Sequence, residues 1–228
     1  MEKYILKLKE SFYRHAHPEN KEAMAKYMRY QFPFLGIQSV ERRKLVQQHI
    51  KDYGNLKEQM DGQAIIKRLW QEEEREFQYA AIDLLEKGYA FQKGDLAFLE
   101  NLITHKSWWD TVDRIAPRQV PLYYSLYPGG KDKQLKDWSQ SENIWLRRSA
   151  ILFQLKAKEE TDAQLLFATI RQNLKSDEFF IDKAIGWALR EYSKTNADQV
   201  IDFINTTPEL ATLSRREGLK WLKNKGRI

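Results

Sequence analysis

The chain has 228 residues, enough for one large domain or two small ones, and its ten glycines and six prolines are too few for a turn-rich β fold. The absence of cysteine excludes disulfides, thiolate metal sites and cysteine nucleophiles, and it suits a reducing cytoplasm. The net charge is +6. No apolar run approaches the length of about 18 residues that a membrane span needs, and the N-terminus interleaves charged with apolar residues, so we expect a soluble, cytoplasmic protein without a signal peptide or membrane span.

The N-terminal third reads as several helices separated by breaks. Pro33, Gly36 and Gly54 mark those breaks, because proline and glycine disfavour helix interiors. His15 and His17 are expected at a helix end or on the surface. The acidic run QEEERE (71–76) is interpreted as the solvated start of a helix.

Five later segments resemble one another in their apolar spacing: REFQYAAIDLL (75–85), SWWDTVDRIAP (107–117), IWLRRSAILFQL (144–155), FFIDKAIGWAL (179–189) and TLSRREGLKWL (212–222). Aligned, they place four small residues and one acid at an equivalent position: Ala81, Asp113, Ala150, Ala184 and Gly218. The intervals are 32, 37, 34 and 34 residues. Such a period in a helical chain is typical of stacked helical pairs.

Partner helices are predicted between these segments, at 96–104, 131–140, 161–173 and 197–205. Pro117 would end the second segment, and Pro128-Gly129-Gly130 predicts a turn. The predicted fold is therefore an all-α solenoid of HEAT-like repeats with a concave groove, forming one domain over 1–228.

Asp113 occupies a repeat position that otherwise holds small residues. Trp109 lies four residues earlier and projects from the same helix face, whereas core packing is the simplest role for Trp108. One interpretation is structural, with a capped or salt-bridged Asp113 beside a half-buried Trp109. The other is a carboxylate and an indole set against a ligand.

The next repeats contribute basic and aromatic side chains. Trp187 and Arg190 are three residues apart and share a helix face, whereas at most one of Arg147 and Arg148 joins a given face. Together with Trp109 and Asp113, Arg148, Trp187 and Arg190 would line one groove. Arginine and tryptophan are suited to phosphates and to sugar or planar surfaces, so the pattern predicts a nucleic-acid-binding groove that contains one acid.

The last eighteen residues contain six basic side chains and one acid, and thus five of the six net positive charges. A solvated helix face and a phosphate-binding surface both remain open. The four histidines lack metal-ligand spacing, and no glycine-rich nucleotide motif occurs. Nothing around Lys156 and Lys158 suggests an amine nucleophile. We expect no metal and no cofactor.

At these residues the chain resembles a known family. The segments THKSWWDTVDRIAP, SENIWLRRSAILFQLK and EFFIDKAIGWALREYSKTN, together with AMAKYMRYQFPFLGIQSVERR near the N-terminus, resemble the AlkD-like alkylpurine DNA glycosylases, which are built from HEAT-like repeats. The resemblance runs through almost the whole chain.

The resemblance implies hydrolysis of the N-glycosidic bond of cationic alkylated purines, such as 3-methyladenine and 7-methylguanine, in duplex DNA. It implies that Asp113 is the catalytic carboxylate, that Trp109 and Trp187 contact the deoxyribose and backbone, and that Arg148 contacts the DNA backbone. Tyr27 and Arg190 lie in matching segments as further DNA-binding candidates. The damaged base is implied to stay stacked. Because Lys156 and Lys158 show no sign of an amine nucleophile, we expect a monofunctional enzyme, and we expect it to be a monomer.

Two alternatives come from other functional classes. A non-catalytic solenoid that binds distorted or branched DNA would share the architecture, but it gains nothing from a carboxylate close to phosphates. A protein–protein scaffold requires neither the carboxylate nor the indoles. Asp113 together with both indoles favours the enzyme.

Overall fold

The structure is a computed structural model that describes residues 1–174 and 176–228. The described residues form fourteen α-helices, two short 3-10 turns and no β-strand, which confirms the all-α helical-repeat class. The chain divides into two compact units, Met1–Gln92 and Lys93–Ile228; a single domain over 1–228 stays a prediction. Within the described ranges, no helix has both the length and the apolar character needed to cross a membrane.

The first unit contains five helices: α1 (Glu2–Arg14), α2 (Pro18–Tyr27), α3 (Ser39–Tyr53), α4 (Gly62–Gln71) and α5 (Arg75–Gly88). Helix α1 packs against α3 and α4, and α5 packs against α3 and α4. In its core, the rings of Phe12 and Phe77 stack with centroids 5.4 Å apart. The predicted breaks are confirmed, since Gly54 caps α3 with a positive φ. His15 and His17 lie at the adjoining ends of α1 and α2.

The start of α5 contradicts the interpretation of the acidic run as solvated. Glu76 is fully buried, and its carboxylate accepts hydrogen bonds from the backbone N–H groups of Leu35, Gly36 and Ile37 at 2.8–3.1 Å. Arg75 is fully buried as well. The run was misread because a charge pattern along one segment does not reveal that a distant loop carries three N–H groups in need of an acceptor.

The second unit contains nine α-helices within its described residues: α6 (Leu96–Thr104), α7 (Trp109–Ile115), α8 (Gln119–Leu126), α9 (Lys131–Ser139), α10 (Ile144–Leu152), α11 (Ala163–Arg171), α12 (Phe179–Tyr192), α13 (Ala197–Asn205) and α14 (Thr212–Asn224). The four predicted partner helices correspond to α6, α9, α11 and α13, with bounds that agree within two residues. Helix α8 was not predicted. Pro121 lies in its first turn, where backbone N–H groups have no helical acceptor to lose.

The packing of the second unit follows the repeat. Helix α10 contacts α7 before it and α12 after it, and α12 contacts α14, while α9, α11 and α13 pack beside them. Ala150, Ala184 and Gly218 are buried, which confirms the small-residue position. A Cβ atom on Gly218 would lie 3.1 Å from Cβ of Leu189, so α12 and α14 approach closely there.

Candidate active site

A cavity of about 370 Å³ lies in the second unit, between α7, α10 and α12. The structure brings five predicted site residues together in its wall: Trp109, Asp113, Arg148, Trp187 and Arg190. Three further residues complete the lining, namely Phe179, Phe180 and Lys183. The cavity therefore combines aromatic surface, one carboxylate and three cationic side chains.

Asp113 and Arg148 form a bidentate ion pair between α7 and α10. Nε of Arg148 donates to Oδ1 of Asp113 at 2.8 Å, and Nη2 donates to Oδ2 at 2.9 Å. Nη1 of Arg148 donates to the backbone carbonyl of Phe180 on α12. The Arg148 side chain is only 3% exposed, and Asp113 keeps 15% of its side-chain surface accessible. The guanidinium therefore joins three helices and fixes the carboxylate in the cavity wall.

Burial is the largest influence on the acidity of Asp113. Desolvation raises its pKa above the usual range, the paired Arg148 opposes that shift, and the negative charge of Asp110 adds to it. The net result is a raised pKa, because a nearly enclosed carboxylate loses most of its hydration. Asp113 is thus a weaker acid than an exposed aspartate, although its partner still favours the ionised form.

Aromatic rings form the cavity wall around this ion pair. Trp109 is the first residue of α7 and Trp187 lies in the middle of α12, and both are half-buried. Behind the wall, Trp108 packs against Phe180 and Trp145, with ring centroids 5.1 and 5.7 Å away. That contact matches the core role expected for Trp108. Asp113 is salt-bridged, as the structural interpretation expected, and it also faces a cavity, as the ligand interpretation expected.

The sequence did not single out two residues of the cationic cluster: Lys183, which lines the cavity, and Glu217, which pairs with Lys183 and Arg190. Lys183 lies four residues before Trp187 on α12, and Glu217 lies on α14. Glu217 accepts a hydrogen bond from Nζ of Lys183 at 2.9 Å and another from Nη1 of Arg190 at 2.8 Å. The spacing of Lys183, Trp187 and Arg190 along one helix face was the signal available for Lys183. Glu217 directly precedes Gly218, the glycine at the small-residue position of the repeat. Its contacts with α12 could not be predicted without the packing of the helices.

Other predicted candidates lie outside the cavity wall. Tyr27 is the last residue of α2 in the first unit and is 72% exposed. Arg147 donates from Nε to Oδ1 of Asn173 at 2.8 Å, so it has a separate partner from Arg148. In the basic C-terminal segment, Arg215 donates to the backbone carbonyls of Ile204 and Thr207. A phosphate-binding role for the rest of that segment stays a prediction.

The described residues hold no group of three or more His, Asp or Glu side chains able to bind a metal ion. The cavity can instead act through fixed charge and aromatic surface. A buried carboxylate attracts developing positive charge, indole faces attract cations and sugar C–H groups, and the lysine and arginine suit an anion. A ligand that becomes cationic at one atom and carries an anion nearby would match this arrangement.

A family model described as DNA alkylation repair enzyme matches residues 8–222. A solved structure, a predicted DNA alkylation repair enzyme from Enterococcus faecalis, is 35% identical in sequence with a TM-score of 0.80. That similarity covers 91% of this chain and 96% of the other. No curated protein matches this chain.

Proposed function

The chain belongs to the DNA alkylation repair enzyme family, and we propose that it is a DNA glycosylase. Its substrates are positively charged N3- and N7-alkylated purines in duplex DNA, such as 3-methyladenine and 7-methylguanine. It hydrolyses their N-glycosidic bond as a monofunctional enzyme that requires no metal or cofactor.

The observation that carries this proposal is the fixed carboxylate of Asp113 in a cavity lined by two indoles. A binding protein gains nothing from a carboxylate near phosphates, since like charges repel. A glycosylase needs negative charge where the sugar becomes cationic. The bidentate pair with Arg148 holds that charge in one orientation before the reaction begins, which is the basis of electrostatic preorganisation.

The reaction proceeds by departure of the base. The C1′–N9 bond breaks, its electron pair moves into the alkylated purine, and the base leaves neutral because it was cationic beforehand. The deoxyribose takes on oxocarbenium character. The Asp113 carboxylate stabilises this cation, water adds at C1′, and one proton is released to solvent. The products are a free alkylated base and an abasic site.

Arg148 acts in this scheme as a positioning residue for Asp113. The resemblance assigns it a DNA-backbone contact, but the guanidinium is buried and bound to a carboxylate and a carbonyl. Trp109 and Trp187 present indole faces to the same cation, each contributing about 0.5 to 2 kcal/mol. We propose that they grip the deoxyribose while the lesion stays stacked in the duplex.

The test is release of free base from a duplex that contains 7-methylguanine. We expect the wild-type protein to release it and Asp113→Asn to be slower by about a hundredfold or more, the usual loss for an electrostatic group of this kind. Binding to the duplex should be intact or slightly tighter, because the change removes negative charge near phosphates. Asp132→Asn, an exposed aspartate on α9, is the matched control. Tight binding by the wild-type protein without any base release would instead support the non-catalytic binder.

A panel of lesions tests the stacked-base mechanism separately. Without a pocket that inspects the base, excision should follow the lability of the glycosidic bond. We expect release of 7-methylguanine, 3-methyladenine and bulky N7 adducts, and poor release of neutral hypoxanthine and 1,N6-ethenoadenine. An enzyme that extrudes the base would reject bulk and read base edges. Efficient release of ethenoadenine would therefore contradict the stacked-base mechanism.

A further inference from the structure

We propose that Lys183 and Arg190 form a binding site for a single phosphodiester group of the lesion strand, and that Glu217 is the positioning residue that holds these two cations together. The inference rests on the proposed glycosylase function, because it assigns a role to the cationic side of the same cavity. Lys183 and Arg190 pair with Glu217, whereas Asp113 pairs with Arg148.

One carboxylate holds two like charges together beside the cavity. Nζ of Lys183 and Nη1 of Arg190 bond to the two oxygens of Glu217 at 2.9 and 2.8 Å. Without an anion between them, the ammonium and the guanidinium would repel each other. The Glu217 side chain is 10% exposed, so its carboxylate is largely shielded from water. It acts as the counter-ion of the two cations without lining the cavity itself.

Both cations keep hydrogen-bond donors for a ligand. Within the described residues, Arg190 makes its hydrogen bond through Nη1, which leaves the Nε and Nη2 groups available. Its side chain is 26% exposed and that of Lys183 is 41% exposed, and both line the cavity. A guanidinium edge beside an ammonium suits the oxygens of a phosphate group.

The charges around the cavity also favour an anionic ligand. The pair of Asp113 and Arg148 contributes no net charge. Lys183 and Arg190 carry two positive charges against the one negative charge of Glu217, and Lys220 adds positive charge near the same carboxylate. This excess of positive charge suits the negative charge of a phosphodiester.

A glycine on α12 allows the carboxylate of Glu217 to lie close to Lys183 and Arg190. A Cβ atom on Gly186 would lie 2.6 Å from Cβ of Glu217 and 3.0 Å from the carbonyl oxygen of Ser214. Only glycine therefore allows α14 to approach α12 at this level. Gly186 directly precedes Trp187. The close approach of α14 to α12, which places Glu217 near Lys183 and Arg190, therefore occurs beside one of the cavity's indoles.

The experiment replaces single phosphates by uncharged methylphosphonates at each position near a central lesion. Binding is measured on a duplex with a stable tetrahydrofuran abasic analogue, and single-turnover excision is measured on 7-methylguanine. For the wild-type protein, we expect one position to cost about tenfold in both measurements, the size of a lost charge-assisted hydrogen bond. In Arg190→Met and in Glu217→Gln, the same methylphosphonate should cost less than threefold.

Glu191→Gln is the matched control. Glu191 lies on the same helix and pairs with Lys194 at 2.6 Å, outside this cavity, and this variant should keep the full tenfold methylphosphonate effect. Thermal melting of each variant shows that the compared proteins are folded. If Glu217 acts only in folding, Glu217→Gln will melt earlier and retain the tenfold effect, which would overturn the proposal.

A uniform small cost at every phosphate would overturn it as well. Failure of the glycosylase proposal is distinguishable, because the wild-type protein would then release no base while the binding series still reports whether one phosphate is singled out.

Discussion

Two buried carboxylates in different units of the molecule show how similar burial serves different ends. Glu76 in the first unit is fully buried, and three backbone N–H groups donate to it. Asp113 in the second unit is held by one guanidinium and borders a cavity. In both cases burial raises the pKa of the carboxyl group. A raised pKa therefore does not by itself distinguish a structural acid from a reactive one.

The difference lies in what the carboxylate faces. The oxygens of Glu76 accept hydrogen bonds from the loop at residues 35–37 and hold that loop in place. The oxygens of Asp113 are fixed by Arg148, yet the side chain retains accessible surface among indoles. A buried acid becomes a candidate for chemistry when its partners fix its orientation and leave one side open to a ligand.

The largest expected effect comes from separating the ion pair of the second unit. Arg148→Met leaves Asp113 buried without a cation, so we expect the free energy of unfolding to fall by about 3 to 5 kcal/mol. Urea denaturation measures this loss. The double variant Asp113→Asn/Arg148→Met contains no unpaired charge and should recover part of it. Equal instability of the single and double variants would show that Arg148 stabilises chiefly through Phe180 and packing.

A smaller effect is expected in the first unit. Glu76→Gln turns an amide NH2 group toward at least one of the three backbone N–H donors, and an unsatisfied buried donor costs about 1 to 3 kcal/mol. Denaturation should show that loss, while the excision rate per folded molecule stays unchanged. Glu73→Gln, in the same acidic run but exposed, should leave stability intact. A slower excision rate in folded Glu76→Gln would contradict the purely structural role assigned to Glu76.

The smallest expected effect is on the pH dependence of excision. The proposed reaction requires ionised Asp113, whose pKa is raised by burial, so activity is expected above that pKa and should be lost as the pH falls through it. The loss should begin at a higher pH than for an exposed aspartate and approach about tenfold per pH unit. Single-turnover rates, corrected for spontaneous base loss, measure this limb.

Asp110→Asn should move the acid limb to lower pH, because the negative charge of Asp110 contributes to the raised pKa. An acid limb that Asp110→Asn leaves in place would show that another group controls the pH dependence.

Much of the helical order could be predicted from the sequence because the signals are local. The bounds of α6 and α13 follow from apolar spacing and flanking breaks, and the small-residue position follows from the repeat. The short helix α8 was missed because it lies between the break predicted at Pro117 and the turn predicted at 128–130, where no repeat segment was identified. Its apolar residues, moreover, do not continue the pattern of the neighbouring repeat.

The site was predictable in part for the same reason. Trp109 and Asp113, or Trp187 and Arg190, share a helix face and can be paired by spacing alone. The bond between Asp113 and Arg148 joins residues 35 positions apart, and Glu217 reaches α12 from another helix. Such partners depend on how helices stack, which the spacing within one helix does not encode. The burial of Glu76 beneath a distant loop was missed on the same account.

A substitution of Gly186 would be easy to misinterpret in a genetic screen. A single methyl group at this position would collide with the Cβ atom of Glu217 and push α14 outward. A screen for mutants sensitive to alkylating agents would then identify substitutions of Gly186, although glycine has no side chain that could contact DNA. Such a mutant would be classified as a folding defect. On the phosphodiester site proposed above, its phenotype would arise because the carboxylate of Glu217 is displaced from Lys183 and Arg190, and a compensating substitution would be sought on α14.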